Sequence, residues 1–197
     1  MRRYTLVGIV IIIIVAVLGG YWFFTHSSPQ SAAFNFPSAS GAASSTSAAA
    51  PQATSSAPVG PRTSPAGYTE YRDTTYSFSL FYPSELSVKT YDEGGGAETI
   101  TFQNIQKGEG FQIFIVPYSG TTVSAQRFKE DEPSGVRNNP TYGLVDGASA
   151  SSFYSTDASL GDTYEVWFIH GGYLYEVTTL KPLDAWLQNV MQTWVFI

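Results

Sequence analysis

The sequence predicts an α+β head, an antiparallel β-sheet flanked by two helices, carried behind a transmembrane helix and a disordered linker. Three observations predict it. Segments that alternate apolar and polar residues recur between residues 76 and 180, the period of half-buried strands. Two stretches, about 123–131 and 183–194, instead fit helical spacing. Composition also changes abruptly after Phe24 and again after Gly67. These boundaries divide the chain into a cytoplasmic N-terminus (1–5), a membrane anchor (6–24), a linker (25–67) and an extracytoplasmic domain (68–197).

Residues 6–24, LVGIVIIIIVAVLGGYWFF, carry no charge and follow Arg2 and Arg3. A helix of that length rises about 28 Å, close to the hydrocarbon thickness of a bilayer. Nine of its residues are Ile or Val, weak helix formers in water. In lipid the backbone must pair within the segment, and a single span does so only as a helix. Tyr21, Trp22, Phe23 and Phe24 gather where aromatic rings favour the headgroup interface. The two arginines stay inside by the positive-inside rule, so the rest of the chain is expected outside the cytoplasmic membrane, on a single-pass anchor. A cleaved signal peptide is the alternative. Its apolar core is usually roughly 7–15 residues, shorter than this one. The chain has no cysteine, which excludes a lipid-modified anchor and any disulfide.

In residues 25–67, thirty-five of forty-three are Ser, Ala, Pro, Thr or Gly, and Arg62 is the one charged residue. So little apolar surface cannot offset chain entropy, which predicts a disordered tether. As a random coil its ends lie about 35–40 Å apart.

The head holds all sixteen acidic residues against seven basic ones, a formal charge of −9. That charge argues against nucleic acid and anionic lipid surfaces as partners of the head. In 76–82, Tyr76, Phe78, Leu80 and Tyr82 share one face, with Ser77 and Ser79 on the other, and Pro83 ends the run. Residues 86–90 and 98–104 give shorter strands, the latter alternating at Ile100 and Phe102. Residues 111–116, FQIFIV, are apolar on both faces and suit a central strand. A strand over 142–154 is interrupted by Asp146-Gly147. Residues 163–169 and 173–180 flank His170-Gly171-Gly172, where two glycines permit positive φ and a tight hairpin.

The stronger helix, 183–194, places Leu183, Trp186, Leu187, Val190, Met191 and Trp194 on one stripe after Pro182. Val195 to Ile197 then add a short terminal strand. The weaker helix, 123–131, has Thr122 as its expected N-cap and Pro133 as its stop.

Several residues carry this order in a familiar form. Tyr76-Ser77-Phe78-Ser79-Leu80-Phe81-Tyr82-Pro83 resembles the opening strand of PsbP-like domains. Gly171-Gly172-Tyr173-Leu174-Tyr175-Glu176-Val177 resembles their late hairpin, and Leu187 to Ile197 their last helix and strand. The resemblance covers most of 68–197. It implies an antiparallel sheet flanked by helices and a binding or assembly role. The anchor and the Ser/Ala-rich linker depart from the photosystem subunit of that family, so no photosynthetic role is implied. The organisation looks more like that of a bacterial cell-surface member.

Chemistry-bearing residues are few. Ser149, then Asp157 or Asp162, then His170 give a hydrolase-like order, but Gly147-Ala148-Ser149-Ala150-Ser151 lacks the last glycine of a nucleophile elbow. Asp92 and Glu93 before Gly94-Gly95-Gly96 read as a solvated hairpin tip, and Glu130, Asp131 and Glu132 as a solvated helix end. Neither has the oxygen spacing of a calcium loop, and one head histidine without cysteine cannot build a zinc site. Gly108-Glu109-Gly110 precedes a strand, so it lacks the helix N-terminus of a phosphate loop. No catalytic, cofactor or metal residue is assigned. Tyr118, Tyr142, Phe153 and Tyr154, near strand ends, are the aromatic residues expected to face a partner.

The expectation is a non-catalytic binding or assembly module, held in the bilayer by residues 6–24 and meeting a protein partner at the cell envelope. Two readings stand beside it: a small extracytoplasmic hydrolase using Ser149 and His170, and a structural envelope protein.

Overall fold

A computed structural model describes residues 60–197. The anchor and the linker up to residue 59 lie outside the described residues. Among the described residues no helix is long and apolar enough to cross a membrane.

The strands are β1 (Tyr68–Asp73), β2 (Phe78–Pro83), β3 (Ser87–Gly94), β4 (Ala97–Asn104), β5 (Glu109–Pro117), β6 (Asn138–Val145), β7 (Ala148–Asp157), β8 (Gly161–His170), β9 (Tyr173–Leu180) and β10 (Val195–Phe196). The helices are α1 (Ala125–Asp131) and α2 (Asp184–Met191), the latter entered through a 3₁₀ turn, Lys181–Leu183. Seven strands form one antiparallel sheet in the order β3-β4-β5-β9-β8-β7-β6. A smaller sheet, β1-β2-β10, packs with α2 on one side of it.

The route of the chain explains this order. β3, β4 and β5 meander by tight turns, and the chain then leaves the edge of that half. It crosses the outer side of the sheet through α1, starts again at the far edge with β6, and meanders back until β9 pairs with β5. Both interrupting turns in the sequence are two-residue hairpins with positive φ at each position: Asp146-Gly147 (43° and 84°) and Gly171-Gly172 (58° and 84°).

The inner face of the large sheet is apolar. Ile100, Phe102, Ile113, Phe168, Tyr175 and Val177 meet Phe78 and Leu80 of the small sheet, and Leu187, Val190 and Trp194 of the last segment. Phe78 stacks on Trp194 at 4.3 Å between ring centroids, and Phe168 on Tyr175 at 4.9 Å. Burying a large side chain contributes roughly 1.5–3 kcal/mol, so this face supplies most of the drive to fold.

Three expectations are corrected. First, Ser79 does not face solvent but is fully buried. Arg62 covers it, donating Nη2–H to Ser79 Oγ (2.8 Å) and Nη1–H to the Thr193 carbonyl (2.8 Å), and lying 4.2 Å from the Phe81 ring centroid. Its backbone N–H also donates to Glu70 (3.0 Å), so the lone charge of the linker stretch is docked on the head. Second, α2 ends at Met191 rather than 194, because Thr193 Oγ1 donates back to the Val190 carbonyl (2.7 Å) and accepts from Phe81 N–H (2.8 Å). Trp194 is thereby turned into the core. Third, the N-cap of α1 is Ser124, whose Oγ accepts from Arg127 N–H at 3.0 Å, while the Thr122 carbonyl accepts from the Tyr118 hydroxyl. β1 is a strand that alternation did not point to, since Glu70, Arg72 and Asp73 break its apolar pattern. Those charges turn toward Arg62 and the turn at residues 73–76.

Candidate functional site

Strand register places the sequence candidates. Ala150 lies opposite Phe168, so even-numbered residues of β7 and β8 share the inner face and odd-numbered ones the outer face. Ser149 is therefore on the outer face and His170 on the inner one, and the two are not brought together. His170 is exposed and stacks on Phe196, 3.5 Å between ring centroids. Burial lowers its pKa, against the nearby Asp146 carboxylate, which raises it. Asp157 and Asp162 lie at the opposite end of β8. Asp157 accepts from Ser159 and Leu160 N–H to shape the turn, and Asp162 pairs with Lys181 at 3.1 Å. Ser149, His170 and Asp157 or Asp162 are thus not held in mutual reach.

The four aromatic candidates separate. Phe153 is 1% exposed, contrary to expectation, because α1 crosses over it and sets Phe128 against Phe153 (5.6 Å) and Trp167 (5.3 Å). Tyr118 is half-buried, and its hydroxyl donates to the Thr122 carbonyl (2.8 Å) and accepts from Ser124 N–H (3.1 Å), bracing the approach to α1. Tyr154 donates its hydroxyl to Asp184 Oδ2 (2.6 Å); burial first, then that carboxylate, push its pKa up to about 12. Tyr142 alone is presented, 70% exposed on β6.

Tyr142 marks a surface the sequence did not single out. β6 is an edge of the large sheet, pairing with β7 alone among the described residues. Leu144, two residues on, is 52% exposed on the same face. No charged residue lies between Asn138 and Val145, whereas the opposite edge, β3, carries Lys89, Asp92 and Glu93. A small cleft of about 60 Å³ opens beside β6 on the inner side, between Val145, Ala150, Val166 and Met191. Edge strands usually bear charges that discourage strand addition, and β6 has none. Pro140 and a register shift between Asn138 and Thr141 blunt only its first half.

A second cluster, missed in the sequence, lies under α1. Glu165 and Glu176 sit on the outer face of β8 and β9, buried. Glu165 accepts from Thr178 Oγ1 (2.7 Å) and Trp167 Nε1 (3.3 Å). Burial raises its pKa to about 7, against the lowering effect of these donors. Burial, then the hydrogen bond with Asp131, hold Glu176 well above the ordinary carboxyl range. Asp131 also pairs with Arg127 one helical turn away. Glu132 is buried and accepts from Ser134 Oγ at 2.6 Å. Asp131 and Glu132 are thus not a solvated helix end. The signal was an acid in the middle of each of two apolar strands, TYEVWFI and YLYEVTTL. Among the described residues no group of acids and histidines is arranged to hold a metal ion.

No family model matches this chain, and no curated protein matches it. Among solved structures, the solution structure of cyanobacterial PsbP (CyanoP) from Synechocystis sp. PCC 6803 is similar over 72% of this chain and 100% of that chain, at 14% identity and a TM-score of 0.48.

Proposed function

We propose that the head is a non-catalytic binding or assembly module of PsbP-like type, tethered to the outer face of the cytoplasmic membrane by residues 6–24. The observation that carries this reading is the β6 edge: an uncharged edge strand, paired on one side only among the described residues, presenting Tyr142 and Leu144 on an otherwise acidic head. Main-chain groups of such an edge supply affinity and the exposed side chains supply selectivity when a partner strand is added. A tether raises the effective concentration of the head near other membrane proteins.

A photo-crosslinking residue in place of Tyr142, in the full chain in cells, tests the reading. Protein adducts are expected there and not from the same residue in place of Tyr154, whose hydroxyl is held by Asp184. Absence of any adduct at Tyr142 would sink the reading. The anchor is tested separately: the chain should remain in the membrane fraction after alkaline carbonate washing.

A further inference from the structure

The β6 edge has a backbone pattern that its own copy complements. The Asp146-Gly147 hairpin makes Val145 and Ala148 the first doubly hydrogen-bonded pair of β6 and β7. Alternation then turns the N–H and C=O groups of Leu144 and Tyr142 away from β7, toward the free edge. Neither has another backbone partner among the described residues. Pro140, next in that series, has no N–H. The usable edge is therefore short, closed by Pro140 at one end and by the hairpin turn at the other.

We infer that a second copy of this chain pairs with β6, antiparallel about a two-fold axis at Gly143, so that each Tyr142 lies opposite the partner's Leu144. In that register each Tyr142–Leu144 pair exchanges both N–H···O=C bonds, and the two apolar side chains meet on one face. Gly143 meets itself at the axis, where the strands of a non-bonded pair come closest. A foreign strand would run past Pro140 and the turn without bonding there, whereas a second copy ends where the first does. Charge agrees with this choice. The head is strongly acidic, and two heads repel except where no charge is presented. β6 is such a strip. Its nearest carboxylate, Asp146, and the partner's Asp146 would stand about 20 Å apart along the strands, beyond the roughly 8 Å over which salt screens charge. The inference rests on the binding-module reading and names its partner.

The chain has no cysteine, so a single introduced one reports without background. Under mild oxidation of the full chain in detergent, G143C is expected to form a covalent dimer, since a non-bonded antiparallel pair holds its Cα atoms about 4.5 Å apart, within disulfide range. Y91C, exposed on the opposite edge, is expected to stay monomeric. Dimer from G143C no greater than from Y91C overturns the inference. Because G143C could disturb the strand, the unmodified chain is sedimented as well. Its mass should double with concentration and L144D should abolish the doubling; a monomer at about 1 mM, the effective concentration of tethered heads, overturns the inference. The crosslinker in place of Tyr142 separates the two readings. Adducts only with a different protein defeat self-pairing and leave the binding module standing, while no adduct at all defeats both.

Discussion

The two faces of the large sheet are built by the same strands and hold opposite chemistry. On β8 and β9 the inner face offers Val166, Phe168, Tyr175 and Val177, and the outer face offers Glu165, Trp167, Glu176 and Thr178. All of these except Thr178, which is half-buried, are almost fully excluded from water. The inner face is closed by α2 and a second sheet, the outer face by one short helix with no fully buried residue. The difference teaches where stability resides. Apolar burial on the inner side drives folding, while the outer side hides acids that favour a folded state only when they are protonated or well bonded.

The largest effect expected from breaking this contrast is on the inner face. Phe78→Ala removes the ring stacked on Trp194 and should cost about 3–5 kcal/mol in denaturant unfolding. Next comes pH. Glu165 holds its proton to about pH 7 in the fold but releases it near 4.5 when unfolded, so the folded state binds more protons between those values. Its contribution is fully present below about pH 4.5 and is lost as pH rises through about 7, a loss of up to about 3 kcal/mol. Glu176 acts in the same direction. Unfolding midpoints at pH 5 and pH 8 should differ accordingly, and E165Q should shrink the difference; an unchanged difference in E165Q would refute the assignment.

Smaller effects come from the cover of the outer face. Phe128→Ala removes the one aromatic contact of α1 with Phe153 and Trp167 and should cost about 1–2 kcal/mol, with a change in tryptophan fluorescence as water reaches Trp167. Ser124→Ala removes the N-cap of α1 and should cost about 1 kcal/mol, read most directly as faster amide exchange over residues 125–131. Amide exchange on the inner strands should not change with it.

Periodicity made much of this fold legible. β9 lies where its alternation put it, and the two-glycine hairpin before it follows from positive φ alone. What periodicity could not give was the identity of the layer above each face. Phe153 stands among Ser149, Ser151 and Ser155, a pattern that reads as a washed surface; only the path of α1 from β5 to β6 covers it. Glu165 and Glu176 read as outward-facing for the same reason. Ser79 was assigned to solvent because nothing in β2 announces that Arg62 will fold back on it. Tyr142 read true as an exposed aromatic, but the free edge beneath it is a matter of topology: β6 and β7 are one interrupted strand in the sequence, and which of them has no second neighbour appears only once the sheet is ordered.

Arg62 gives the head a mechanical property. It bonds at once to Glu70 of β1, Ser79 of β2 and the Thr193 carbonyl behind α2, stapling the middle of the β1–β2 hairpin to the segment after α2. A pull on the chain from its N-terminal side reaches this staple before it reaches any described strand. If the staple tears, β1 is next in line, and it would unzip from its Tyr68 end one hydrogen bond after another. The large sheet, with β6 at its far edge, stands outside that load path, so a load applied from the N-terminal side would be absorbed by the small sheet while the β6 edge keeps its shape.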